Sequence, residues 1–157
     1  ADLSVLLGAP GDWPELETTA LFTRRILTAC SPELKLSAGI EKVEDLDVQT
    51  LIVHENRPNS WVNWARAMEV KPPKAGNILR FDSMHAVVQA AAQGLGIAIV
   101  SWPLSRRWFE NDELAPALNE RVTTGEKFHL AYRKGEEKRG DISRFIDWIV
   151  TEFTMDT

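Results

Sequence analysis

Cysteine is nearly absent: Cys30 stands alone in 157 residues. A single thiol excludes an internal disulfide framework and any multi-cysteine zinc or iron–sulfur site. Long apolar runs are missing too. The longest uncharged one, Ile97 to Leu104, falls far short of the roughly 20 residues a membrane helix needs, so no membrane partner is expected. The three histidines, His54, His85 and His129, lie on separate segments without the H-E-x-x-H spacing of a helical metal pair. No metal or other cofactor is therefore expected. The G-x-S-x-G elbow of serine hydrolases does not occur. Gly94-Leu95-Gly96 follows a helical pattern instead of preceding one, and reads as a helix stop, not a phosphate loop. Basic charge is in deficit, 18 Lys+Arg against 23 Asp+Glu for a net charge of −5. Phosphate backbones repel such a chain, which makes it a poor nucleic-acid binder by itself. The Arg133–Arg139 run carries Glu136 and Glu137 among its bases and reads as a solvated loop. Neither an export signal nor an initiator Met opens the chain, since Ala1-Asp2 leads straight into an apolar stretch. It is read as beginning inside a longer, cytoplasmic protein.

What is present is ordinary globular composition, 44% hydrophobic and 26% charged, at a length suited to one domain or two small lobes. Leu3–Leu7 reads as a buried strand, followed by a loop around Pro10, Gly11 and Pro14. Leu21–Cys30 is a second strand. Ser31-Pro32-Glu33 then supplies a cap, a proline at the first helical position and a first-turn carboxylate. A brief helical turn at Val43–Leu46 precedes a strand at Thr50–His54. Ser60 is expected to cap a helix from Trp61 to about Met68, and Ile78–Phe81 to form a strand. The best helix follows, capped by Asp82 or Ser83, with Met84, Val87, Val88, Ala91, Ala92 and Leu95 at three- and four-residue steps. Ile97–Val100 reads as a strand buried on both faces, as in a parallel sheet. Pro103 is expected to open a helix through Phe109. Leu114–Leu118 is a short extended piece and Phe128–Tyr132 a strand. A final helix runs from about Asp141 to Phe153. Strands alternating with helices imply βα units and a parallel or mixed sheet, an α/β architecture.

Several residues carry possible chemistry. Ser83 sits at a strand–helix junction, where a serine is most often an N-cap. Cys30 precedes a helix start whose dipole lowers a thiol's pKa, while the apolar run before it favours burial. Among six tryptophans, Trp64 and Trp148 fit helical core faces. Trp13, Trp61 and Trp102 lie near caps and loops, where an indole lines a pocket or plugs an interface. Helix starts after three strand ends, at Ser31-Pro32, Ser83 and Pro103, put free N–H groups and positive dipole ends where α/β sheets hold ligands. That pattern points to a lobe binding a small anionic or zwitterionic molecule.

The stretch RFDSMHAVVQAAAQGLGIAIVSWPLSRRWFENDELAPAL resembles the effector-binding domain of LysR-type transcriptional regulators. So do DLSVLLGAPGDWPELETTALF and LFTRRILTACSPEL. HENRPNSWVNWARAMEV, with Asn56-Arg57-Pro58 before Trp61 and Trp64, is similar to the glycine-cleavage and β-lactamase activator subgroup. The likeness runs almost end to end. It implies a two-lobe fold like type-2 periplasmic binding proteins, with the second lobe complete and the first partial. Residues 1–24 would be a partial first lobe with the first crossing strand. Residues 25–112 would form the second, effector-binding lobe, and 113–157 the second crossing strand and the return. The resemblance implies no enzyme and a cleft-bound small effector. It also implies a homodimer or higher oligomer, and promoter DNA engaged only through a separate winged helix-turn-helix absent here. It singles out Ser83 as an anion acceptor, then Cys30, Ser31, Trp61 and Trp102 as weaker contacts. A transport-type solute-binding protein is the alternative on the same fold. A hydrolase using Ser83 and His85 is disfavoured, because positions two apart on a helix do not face each other.

Overall fold

The apolar run of Ile97–Val100 is buried along its whole length, and the computed structural model shows why. It describes residues 2–9 and 11–155; Ala1 and the loop proline Pro10 lie outside the described residues. The chain divides into two compact units, residues 1–24 with 125–157, and residues 25–124.

In the second unit the strands stand in the order β4 (Asn77–Phe81), β3 (Thr50–His54), β5 (Ala98–Trp102), β2 (Leu16–Cys30, from Arg25 onward) and β6 (Ala115–Pro116). β3 and β4 pair in parallel from Thr50↔Asn77 to His54↔Phe81. β5 meets β3 through a parallel bridge, Leu51↔Ile97, in which Ile52 N–H donates to Ile97 O at 2.8 Å. On its other side β5 runs antiparallel to β2, Arg25↔Trp102 to Ala29↔Ala98. The segment 97–100 is buried on both faces, and with a parallel bridge on one side and a longer antiparallel ladder on the other the sheet is mixed. Side chains then alternate between two cores, as the period of two demands. Ile26, Cys30, Leu51, Val53, Ile97 and Ile99 meet Trp61, Trp64 and Ala65 of α2 (Ser60–Met68) on one face. Leu27, Ala29, Ile52, Ala98 and Val100 meet Val87, Val88, Ala90 and Ala91 of α3 (Met84–Ala92) on the other.

Two starts differ from expectation. α2 begins at Ser60 itself with Asn59 before it, and no side chain caps it. Pro103 does not open a helix: a turn intervenes, and α4 covers only Arg106–Glu110. The Ser105 N–H and hydroxyl both donate to Ser101 O, at 3.0 and 2.6 Å, which holds that turn closed before α4 starts.

In the first unit, β1 (Leu3–Gly8) pairs antiparallel with β7 (Val122–Arg133), and β7 also pairs with β2. Both long strands extend well beyond their apolar centres. The last helix, α5 (Gly140–Met155), lays Ile142, Ile146, Ile149 and Phe153 inward. Phe22 packs between Phe128 and Phe153, with centroids at 4.9 and 4.7 Å.

Candidate functional site

The first βα junction follows the sequence closely. The Ser31 hydroxyl accepts the Leu34 N–H at 3.1 Å, Pro32 opens α1 (Pro32–Ala38), and Gly39 closes it in the left-handed region. Ser31 itself is buried. With Glu33, Ser37, Gln93 and Gly94 it lines a polar hollow of about 400 Å³. Gly94 has φ +79°, and a Cβ there would stand 3.2 Å from the Ser31 Oγ, so both conformation and space call for glycine.

Cys30 and Trp61 are gathered into one core. The thiol has no exposure, and burial pushes it up to about 11 from 9.0, while the Lys35 ammonium pulls weakly the other way. Desolvation therefore outweighs any help from the α1 dipole, and a thiolate is not the ground state at neutral pH. The Trp61 indole N–H donates to Ile52 O at 3.2 Å, and its ring meets Trp64 edge-on at 5.4 Å. The indole's one donor is thereby satisfied inside the core.

Ser83 starts α3, where its hydroxyl accepts the Ala86 N–H at 3.1 Å. The residue is exposed and lines none of the hollows described here. Its neighbour His85 turns toward Trp108, with ring centroids 6.2 Å apart. Among the described residues no hydrogen bond joins Ser83 to His85, and no group of three or more His, Cys, Asp or Glu is placed to hold a metal.

Trp102 is where charge and aromatic surface meet. It ends β5 half-buried, opposite Arg25 of β2. The Phe109 ring of α4 packs edge-on against it at 5.8 Å, and the Arg121 guanidinium carbon lies 3.9 Å from the indole centroid. A stacked guanidinium keeps its N–H edge free for a carboxylate. After α4 the chain reverses at Asp112, in the left-handed region, whose N–H donates to Phe109 O. Leu27, Pro32, Trp102, Phe109, Asp112 and Arg121, with the β6 segment, enclose a hollow of about 340 Å³. One cation and one carboxylate thus face an otherwise apolar space. Neither Arg121 nor Asp112 has an ion-pair partner among the described residues. Sequence reasoning found Trp102 but missed Arg121 and Asp112, which look like ordinary loop charges until the fold brings them to the indole.

A family model, LysR substrate binding domain, matches residues 1–154. An HTH-type transcriptional regulator of Sinorhizobium fredii, y4mQ, is 30% identical over 154 residues, covering 96% of this chain and 50% of that protein. The glycine cleavage system transcriptional activator of Escherichia coli is 25% identical over 152 residues, covering 96% and 49%. The chain spans about half the length of these relatives. Among solved structures, the effector domain of AmpR from Pseudomonas aeruginosa superimposes with a TM-score of 0.80 at 22% identity, covering 98% of this chain and 73% of that one. That likeness establishes the fold.

Proposed function

This chain belongs to the LysR substrate-binding domain family, and on that premise we propose that it senses a small anionic or zwitterionic metabolite in the Trp102 hollow. Its fold is α/β of the type-2 periplasmic-binding-protein kind. The observation that carries the proposal is the Arg121 guanidinium held on the Trp102 ring, facing a hollow that also holds Asp112. Arg121 takes a carboxylate and Asp112 an ammonium, while Phe109 and Leu27 pack the ligand's carbon frame. Cys30, Ser31 and Trp61 act through packing and capping and do not touch the ligand. Ser83 is the competing anchor, an anion acceptor at the α3 start.

The role is regulatory, not catalytic: occupancy shifts the population of conformers that a separate winged helix-turn-helix reads on promoter DNA. The curated relatives are transcriptional regulators, which supports this over the transport-type alternative. Self-association, as a homodimer or larger assembly, is supported by exposed Val5, Phe145 and Trp148. A promoter-bound role places the protein in the cytoplasm. No helix among the described residues is long and apolar enough to cross a membrane.

The test is a thermal-shift screen of amino acids and small carboxylates on the wild-type chain and on Arg121→Ala and Ser83→Ala. The proposal expects hits that Arg121→Ala loses and Ser83→Ala keeps. Loss in Ser83→Ala alone would move the site to the α3 start. A screen with no carboxylate hit contradicts the proposal.

A further inference from the structure

Trp108 and Phe109 are successive residues of α4, and they wall different hollows. Phe109 faces the Trp102 hollow; Trp108 faces a second one, of about 210 Å³, between α3 and the turn leading into α4. Met84, His85, Val88, Leu104 and Trp108 line it over buried Val100. Among the described residues, no lysine, arginine or carboxylate lines it. The buried Ser105 hydroxyl is already committed to Ser101 O. A charged ligand would find no counter-charge here and would lose its hydration. At the rim, Met84 is 39% and Leu104 56% exposed, an apolar area that an apolar occupant would cover. The His85 and Trp108 rings both line the hollow, tilted by 60° with centroids 6.2 Å apart, and do not stack on each other. The space slightly exceeds the ~150 Å³ that accommodates benzene and falls below the ~300 Å³ where drug-sized pockets begin. One ring fits; two do not.

We propose that this hollow is a second ligand site, for an uncharged single-ring aromatic molecule. The ring packs on Met84, Leu104 and Trp108, a thioether and an indole both suited to an aromatic face. His85 hydrogen-bonds one hydroxyl or N–H at the ring's edge. This site stands independently of the Trp102 hollow.

Phenol and benzoate are the probes, titrated into the whole chain and followed by NMR. Phenol is expected to shift the Met84 methyl and the Trp108 indole N–H saturably, with millimolar or tighter affinity. Benzoate is expected to bind at least about tenfold more weakly, for want of a cation. Met84→Trp fills the hollow and should abolish the phenol shifts. Leu104→Asp, at an exposed position, should weaken them about tenfold and serves if the first variant misfolds. The proposal is overturned by phenol shifts confined to Trp102 and Phe109, by no saturation, by equal benzoate affinity, or by both variants binding normally.

Discussion

Raising the pH should destabilise this protein through a group that does nothing at neutrality. Cys30 is fully enclosed between Ile26, Trp64 and the other residues of its core, and burial lifts its thiol from 9.0 to about 11. The folded chain therefore holds this proton more tightly than the unfolded chain. The corresponding stability is complete below pH 9 and is lost as pH rises through 11. Two pH units correspond to roughly 2–3 kcal/mol, a sizeable part of a typical domain's stability. Urea unfolding at about pH 8 and about pH 11 would read this as a midpoint drop on the order of 1 M. Cys30→Ala starts from a lower baseline because it removes the sulfur, yet it should lose this share of the pH dependence. The substitution changes no other residue, so the difference of differences isolates the thiol. In the native protein, iodoacetamide should also react about a hundredfold more slowly than the pKa of a free thiol would allow. If wild type and Cys30→Ala weaken equally between the two pH values, the thiol is not desolvated and the reasoning fails.

Three further outcomes are expected. Ser31→Ala removes the α1 cap and should cost about 1 kcal/mol in chemical denaturation. Trp64→Ala empties the centre of the α2 face, where Trp64 is 1% exposed, and should cost about 3–5 kcal/mol, read as a large fall in the unfolding midpoint. A gel shift with this chain and promoter DNA should show no specific retardation, given its net charge of −5; a discrete retarded band would contradict that reading.

Much of the fold was legible because burial here follows short periods. The alternation through Ile97–Val100 is a period of two shared between two cores, and the Met84–Ala92 pattern is a helical face. Strand ends were less legible. Glu17 and Thr18 near the start of β2, and Thr123 and Lys127 of β7, carry exposed polar side chains. Backbone pairing holds those segments extended, and no apolar pattern announces it. Pro103 failed as a helix start because the Ser101–Ser105 hydrogen bonds close a turn first. The Trp102 hollow was legible in part. Its aromatic wall lies in the familiar SWPLSRRWF stretch, whereas its charges come from two loops, one before β6 and one after it. No spacing rule connects Arg121 to an indole so distant in the chain; only tertiary structure does.

Calorimetric titration of the wild-type chain and of Arg121→Ala with the best carboxylate from the thermal-shift screen tests the central claim most directly. Arg121 is the cation that lines the Trp102 hollow among the described residues, so the variant should bind at least about tenfold more weakly, the usual scale for losing a charge-assisted pair. Equal affinity in the two proteins would contradict the account.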